Sequence, residues 1–234
     1  MYGYVVSAVA LAAASTAAYQ SMAPSAQWYG HTFTRLPRSS KKLALTYDDG
    51  PNDPHTQRLM EVLAKHNVQA TFFLIGRYVQ QKPEIVRELV KAGHVVGNHT
   101  QTHPQLIFQT RTQARIQIST CQNILSDAIG HSTNLFRPPY GGRRPAILKI
   151  ARELGLEPIM WSVTCYDWKP TTPERIEKHA IRQIRGGDVI LLHDGGHAQM
   201  GADRSQTVTA TDSLITRYKN EGYEFVTIPQ MLKT

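Results

Sequence analysis

Two adjacent carboxylates, Asp48 and Asp49, follow an apolar run that begins at Leu43 and reads as a buried strand. Like charges side by side repel each other and gain nothing from a sheet, so the pair indicates chemistry rather than packing. Because side chains alternate along a strand, we expect the two carboxylates to point in different directions. One of them can then bind a metal ion while the other stays free to act as a base.

Two histidines, His99 and His103, stand four residues apart after another apolar run. If the loop between them forms one helical turn, both rings lie on one face, about 6 Å apart along the axis, and can reach the same ion. Two histidines and one carboxylate are a common zinc-binding set that leaves a position open for water. With Asp49 as the third ligand, the sequence predicts a divalent metal site, with Zn²⁺ as the first choice. The spacing alone is weak evidence, because the chain has ten histidines.

Three further residues fit the same chemistry. Asp48 can take a proton from an attacking water if it stays ionised, and Arg137 can hold it in place as a bidentate donor. The prolines after Arg137 make a stiff turn, and the backbone N–H of Tyr140 beyond it can receive an oxyanion. The alternative for Arg137 is an ordinary surface salt bridge.

His193 ends an apolar strand and can protonate a leaving group, since the pKa of histidine lies near neutrality. Asp167 can orient either this histidine or the arginine, and Trp168 beside it offers a flat aromatic wall that suits a sugar ring. The alternative for His193 is a core histidine bonded to backbone. We expect Trp161 to lie in the core, and His197, like the other unassigned histidines, to be a surface or structural residue.

Strand-like and helical segments alternate from residue 43 to the C-terminus. The strands are almost continuously apolar, which is typical of a parallel sheet covered by helices. About seven of them fit an α/β fold, a distorted or incomplete (β/α) barrel, and the candidate site residues follow C-terminal strand ends, where such barrels keep their active sites. The predicted strands are 43–48, 70–75, 94–97, 135–136, 158–163, 188–192 and 224–228, and the predicted helices are 55–66, 83–92, 113–129, 145–154, 173–184 and 206–219.

The composition is that of an ordinary globular protein. Of the 234 residues, 41% are hydrophobic and 19% are charged, which excludes a disordered chain. The net charge of +8 suits an acidic partner, such as nucleic acid, an anionic cell-wall polymer or a membrane surface. Because the sequence has no dense lysine and arginine block and no nucleic-acid motif, we expect a generally basic surface and no nucleic-acid partner.

The first 40 residues differ from the rest. Residues 5–18 resemble the apolar region of a signal peptide, although no Lys or Arg precedes them, and the run is shorter than the about 20 residues of a membrane span. We predict an exported or cell-envelope protein with membrane association through residues 1–20; the alternatives are an Ala-rich helix, a disordered arm and a cytoplasmic protein. Residues 23–40 read as a linker, so the catalytic domain is predicted at 41–234. If the protein is exported, Cys121 and Cys165 can form one disulfide, and otherwise they are two buried thiols.

Five short motifs occur in order between residues 41 and 228. They are Thr46-Tyr47-Asp48-Asp49-Gly50, His99-Thr100-Gln101-Thr102-His103, Arg137-Pro138-Pro139-Tyr140, Trp161-Ser162-Val163 with Asp167-Trp168, and Leu191-Leu192-His193. Together they resemble the motifs of the polysaccharide deacetylases of carbohydrate esterase family 4, the NodB homology domain. The resemblance is specific, because it covers nearly all of the predicted domain.

The resemblance implies a distorted (β/α) barrel and a divalent metal, usually zinc, held by Asp49, His99 and His103. The other implied roles are Asp48 as base, Arg137 as its support, Tyr140 N–H as oxyanion donor, His193 as acid, and Trp168 and Leu191 as the lining of an acetyl pocket. The chain departs from the family at Thr164, where many members have an aspartate. Only Asp167 then remains to tune the proposed acid.

We therefore predict a metal-dependent hydrolase that removes N-acetyl groups from a glycan containing N-acetylglucosamine, such as peptidoglycan or a chitin-like polymer. One alternative is an esterase that removes O-acetyl groups from a xylan-type polymer with the same machinery. The other is a catalytically silent glycan-binding barrel, which the departure at Thr164 suggests. The sequence carries no prediction of the oligomeric state.

Overall fold

A computed structural model describes residues 2–234, with side chains from residue 11 onward. Its centre is a curled sheet in which every pairing between strands is parallel. The strands are β1 (Lys42–Gly50), β2 (Thr71–Leu74), β3 (Val95–Asn98), β4 (Leu135–Phe136), β5 (Glu157–Pro158), β6 (Val163–Thr164), β7 (Val189–His193) and β8 (Glu224–Phe225). Seven strands follow the order β5-β4-β3-β2-β1-β7-β6, and β8 pairs with the start of β1. The predicted incomplete (β/α) barrel is confirmed.

Helices cover the outside of the sheet. They are α1 (Tyr2–Met22), α2 (His55–Lys65), α3 (Gly76–Gln81), α4 (Pro83–Lys91), α5 (Arg111–Ile129), α6 (Pro145–Glu153), α7 (Pro173–Gln183), α8 (Ser205–Asn220) and α9 (Ile228–Leu232), with 3₁₀ turns at Leu106–Phe108 and Pro139–Gly141. Local sequence signals set several of their ends. Pro83 occupies the first turn of α4, a capping box of Thr110 and Gln113 starts α5, and Gly130 ends it with a φ of +79°.

Strand β1 is buried on both faces and divides the interior into two parts. Leu43, Leu45 and Tyr47 pack in the larger apolar cluster, under the helices. The alternate residues Ala44 and Thr46 face the other way, into the barrel. Asp48 follows in the same alternation and therefore emerges at the C-terminal rim of the barrel.

The strands β5 and β6 are the two ends of the strand order: β5 pairs with β4 and β6 pairs with β7. The gap in the barrel therefore lies between β5 and β6. The single predicted strand 158–163 is therefore wrong: its ends are two short strands, and the residues between them cross the gap. Phe33 bridges to Ile159 on one side of this gap, and the Leu36 N–H donates to the Gly187 carbonyl on the other. The predicted linker thus packs on the barrel, and the domain boundary at residue 41 stays a prediction.

The N-terminal helix α1 matches the Ala-rich helix that was one alternative for this segment. Arg143 holds its C-terminal end, because its backbone N–H donates to Ser21 and its guanidinium donates to the carbonyls of Ala23 and Ala26. In the part of the chain that the structure describes, no helix combines the length and hydropathy needed to cross a membrane. The prediction of membrane association concerns residues 1–20. It lies partly outside the described residues, because Met1 and the side chains of residues 2–10 are not described. Both cysteines are buried free thiols.

Candidate active site

A β-bulge at the end of β1 separates the two neighbouring aspartates. In the pairing of β1 with β2, Asp48 is opposite Phe73 and Gly50 is opposite Leu74, so Asp49 is the extra residue. Its φ of +74° lies in the left-handed region, which turns its side chain away from the direction that simple alternation would give. The sequence correctly predicts two directions for the pair, but the bulge and not the strand alternation sets them.

Asp49 lies beside the two motif histidines. One ligand atom each from Asp49, His99 and His103 lies within 4.8 Å of the others, and all three residues are buried. Asp49 Oδ1 is 3.6 Å from His99 Nε2 and 3.3 Å from His103 Nε2. Among the described residues this oxygen has no hydrogen-bond partner, which is costly for a buried carboxylate and fits a cation bound between the three groups.

The loop that carries the histidines is not the helical turn that their spacing suggested. Thr100 and His103 both have left-handed backbone, with φ of +67° and +60°, and the Thr100 N–H donates to Asn98 Oδ1. The rings nevertheless meet, with centroids 4.8 Å apart. His99 Nδ1 donates to the carbonyl of Arg137 at 2.7 Å, which leaves the Nε2 lone pair free toward Asp49.

Burial sets the protonation states of the three groups in a way that suits metal binding. It lowers the pKa of His99 to about 3 and, together with the nearby His99, that of His103 to about 2, so both rings are neutral and can offer a lone pair to a metal ion. Burial also raises the pKa of Asp49 to about 7, against the opposing charge of His193. A carboxyl group that resists ionisation inside the protein is stabilised as an anion by a bound cation. The residues therefore fit a divalent metal.

Asp48 is held by a buried arginine next to this cluster. Arg137 Nη1 donates to Asp48 Oδ1 at 2.7 Å and to Thr46 Oγ1 at 2.8 Å. The predicted bidentate pair is wrong, because Nη2 and Nε donate instead to the carbonyls of Met160 and Ile159. The arginine is fully buried, so it is not a surface salt bridge. Asp48 Oδ2 lies 3.7 Å from His99 Nε2 and has no hydrogen bond to any other described residue.

His193 stands across from Asp48 on the neighbouring strand. The two residues are partners in the pairing of β1 with β7, so their side chains emerge at the same rim. Asp167 binds the histidine twice: Oδ2 accepts its backbone N–H at 2.7 Å and Oδ1 accepts Nδ1–H at 2.9 Å. Burial opposes protonation of His193, but the charge and hydrogen bond of Asp167 outweigh it and raise the pKa to about 9. Thr164 is not part of this pair, because its hydroxyl accepts the Trp161 N–H.

These groups open into one pocket of about 530 Å³. The three residues predicted to contact substrate, Tyr140, Trp168 and Leu191, all line it. The Tyr140 ring lies 4.5 Å from His103, and the Trp168 ring lies 5.1 Å from His193. Trp161 packs against one of the apolar clusters, as expected of a core residue, but it is only partly buried and also lines the pocket.

Sequence reasoning missed the contribution of the loop after His193. His197 lines the pocket and its ring stacks on His103 at 4.8 Å, although it was expected to be a surface or structural residue. The Gly-Gly pair in this loop was the available signal. A Cβ on Gly195 would lie 2.1 Å from the Asp49 carbonyl oxygen, so only glycine allows the loop to pass this close to Asp49.

Residues 35–159 match the sequence profile of the family described as polysaccharide deacetylase. A peptidoglycan-N-acetylglucosamine deacetylase of Bacillus cereus is 37% identical over 208 residues, which is 88% of this chain and 73% of the relative. The chain belongs to the polysaccharide deacetylase family. Each of the five motifs that resemble those of the deacetylases contributes residues to the pocket just described.

Other members of the family differ in what they do. A chitooligosaccharide deacetylase of Bradyrhizobium is 36% identical over 199 residues, covering 82% of this chain and 91% of the relative. A solved structure of a family 4 pseudoenzyme from Bacillus anthracis superposes with a TM-score of 0.80 at 31% identity, over 86% of this chain and 69% of its own. Because the family includes both deacetylases and a pseudoenzyme, the activity of a member depends on which site residues it has.

Proposed function

We propose that this protein is a metal-dependent hydrolase that removes N-acetyl groups from a glycan containing N-acetylglucosamine. One observation carries the proposal: three ligand atoms from Asp49, His99 and His103 lie within 4.8 Å of one another, with the unligated carboxylate of Asp48 beside them. This arrangement supplies a metal site and a separate base in one pocket, which is what amide hydrolysis with water as nucleophile needs.

Asp49, His99 and His103 would hold the metal, and the two-nitrogen, one-oxygen donor set favours Zn²⁺. A divalent ion bound there supplies a Lewis acid that polarises the substrate carbonyl and lowers the pKa of the attacking water. The backbone N–H of Tyr140 is proposed as a second stabiliser of the oxyanion, because its residue packs against the ligand His103 at the rim.

Asp48 acts as the base in this proposal. Its Oδ1 is occupied by Arg137 while Oδ2 faces the ligand His99, so the side chain is fixed with one oxygen free to receive a proton. Arg137 is therefore a positioning residue that acts through Asp48.

His193 acts as the acid, next to Asp48 on the neighbouring strand. Nδ1 is committed to Asp167, so the proton on Nε2 is the one available for the departing amine nitrogen. The amide C–N bond breaks as this nitrogen takes the proton, and the products are acetate and a free amino sugar. Trp168 and Leu191 line the same pocket and are proposed to hold the acetyl methyl group.

The substrate class follows from the relatives and from charge. Peptidoglycan and chitin oligomers are the substrates in the names of the relatives, and a net charge of +8 suits an anionic cell wall. We propose an exported or cell-envelope location for the same reason, with residues 41–234 as the catalytic unit. The alternative of a silent barrel loses its motivation at Thr164, since Asp167 and not residue 164 pairs with the acid.

The test is acetate release from N-acetylglucosamine oligomers and from peptidoglycan, before and after removal of metal with a chelator. Asp48→Asn is the variant of the base, and Asp53→Asn, which changes an exposed carboxylate paired with Lys82, is its control. We expect activity to disappear with chelation, return with added Zn²⁺, and be lost only in the Asp48 variant. Activity that survives both chelation and Asp48→Asn would overturn the proposal. Faster release from acetylated xylan would favour the esterase, and glycan binding without acetate release would favour the silent barrel.

A further inference from the structure

The proposed metal ligand His103 contacts two further rings. His197 stacks on it with centroids 4.8 Å apart and planes 22° apart, and Tyr140 meets it edge-on at 4.5 Å. His197 and Tyr140 also contact each other at 5.3 Å. The His103 ring is therefore contacted by two rings supplied by two different loops.

The two ligand histidines differ in how their rings are fixed. His99 donates Nδ1–H to the Arg137 carbonyl, the usual device that orients a metal-binding histidine. His103 Nδ1 is buried and has no protein hydrogen-bond partner among the described residues. Its orientation must then come from packing, and the rings of His197 and Tyr140 provide that packing.

The loop that carries His197 is built to stay in place. Arg77 donates to the His197 carbonyl, and Tyr78 Oη donates to the Gly196 carbonyl at 3.0 Å. Asn52 Nδ2 donates to the Ala202 carbonyl at 2.8 Å, and Arg204 Nε donates to the Gly195 carbonyl at 2.7 Å. Anchors from four side chains fix the backbone on both sides of His197, so its ring is delivered to a defined position.

We infer that His197 is a positioning residue of the metal centre, which holds the His103 ring in its ligating orientation by stacking. The inference rests on the proposed function, since it requires that Asp49, His99 and His103 bind a metal. His197 does not belong to the ligand group itself: its Nδ1 is 3.9 Å from Asp49 Oδ2, and the three atoms within 4.8 Å of one another come from the other residues. His197 contacts His103 through the face of its ring and not through a ring nitrogen.

The test measures the Zn²⁺ dissociation constant by competition with a chromophoric chelator, for the whole chain and its variants. His197→Ala removes the ring, whereas His197→Phe keeps a flat ring and removes the nitrogens. His131→Ala, which removes an exposed imidazole outside the pocket, is the control. We expect His197→Ala to weaken Zn²⁺ binding about 10-fold, and His197→Phe and the control to stay within about 3-fold of the wild type.

Each outcome decides the inference. Unchanged affinity in His197→Ala overturns it, and so does a His197→Phe variant as weak as His197→Ala, which would assign the effect to a ring nitrogen. The absorption spectrum of the Co²⁺-loaded variants gives a second readout, since a displaced ligand changes the band positions and a merely structural loss does not. If the wild type and His99→Ala both fail to bind Zn²⁺, the proposed function fails as well. If the wild type binds Zn²⁺, His99→Ala does not, and His197→Ala binds as tightly as the wild type, the stacking inference alone fails.

Discussion

Replacing Asp167 by asparagine is expected to lower the pKa of His193 and to move the alkaline limit of activity to lower pH. The proposed acid must carry its proton, so activity should fall as pH rises through its pKa, which is about 9. Burial works against that protonated form. The charge of Asp167 and its 2.9 Å bond to Nδ1 are what raise the pKa above the ordinary 6.5 of histidine.

The hydrogen bonds around Asp167 determine how an asparagine would sit. Oδ2 accepts from both the His193 backbone N–H and the Thr207 hydroxyl, so the amide oxygen must take this position. The amide nitrogen then faces Nδ1 as a donor and favours the neutral ring. The loss of a charge-assisted hydrogen bond, about 1.5–3 kcal/mol, corresponds to about 1–2 pKa units.

The assay is acetate release from an N-acetylglucosamine oligomer between pH 5 and 10. We expect the alkaline limb of kcat to shift downward by about 1–2 pH units in Asp167→Asn, so that the loss is about 5- to 50-fold at pH 9 and smaller near pH 6. Asp188→Asn is the matched control, because it changes another buried aspartate that binds backbone and Ser162 next to the opposite end of β7. An unmoved limb, or one moved to higher pH, would refute the pairing of Asp167 with the acid.

Three further changes test the supports of the site and of the fold. Arg137→Ala leaves the buried Asp48 without its cation, so urea unfolding should show a loss of about 3–5 kcal/mol; a loss below about 1 kcal/mol would contradict the buried pair. His94 Nδ1 accepts the Ala70 N–H, and burial lowers the pKa of His94 from 6.5 to about 4. As pH falls from 6.5 to 4, the unfolded chain protonates this histidine before the folded protein does, so the free energy of unfolding decreases over that range. His94→Asn keeps an acceptor for the Ala70 N–H but cannot be protonated. Urea unfolding at pH 7 and pH 4 should therefore show a decrease in unfolding free energy that is smaller in the variant by on the order of 3 kcal/mol; an equal decrease in both proteins would argue against this role of His94. Thr164→Val removes only the hydroxyl bound to an indole, so kcat should stay within about 2-fold, and a loss above about 10-fold would restore a tuning role to residue 164.

The sequence predicts the parallel barrel well because its strands are apolar on both faces. The run from Leu43 to Tyr47 is buried throughout, and the signals at Pro83 and Gly130 mark helix ends as expected. The single strand predicted at 158–163 fails because an apolar run does not reveal where a barrel opens. The last predicted strand, 224–228, pairs only at Glu224–Phe225, since Ile228 and Pro229 start a short helix.

The site is predictable where one short motif carries the chemistry, and less so where tertiary structure brings loops together. Each predicted ligand, base and acid lies at the same rim, as the strand ends implied. The helical turn for His99 and His103 is wrong because left-handed backbone at Thr100 and His103 overrides the spacing. His197 was missed because nothing local connects it to a ring 94 positions earlier; that contact depends on how the loop is anchored across the rim.

Anomalous diffraction from crystals grown with Zn²⁺ is the most direct test of the central claim that one ion is shared by Asp49, His99 and His103 while Asp48 stays unligated. We expect a single strong peak about 2.0–2.2 Å from Asp49 Oδ1 and from Nε2 of both histidines. Asp48 should remain hydrogen-bonded to Arg137 through Oδ1, and its Oδ2 should not coordinate the ion. A peak elsewhere, no peak at all, or an ion ligated by Asp48 in place of Asp49 would contradict the account.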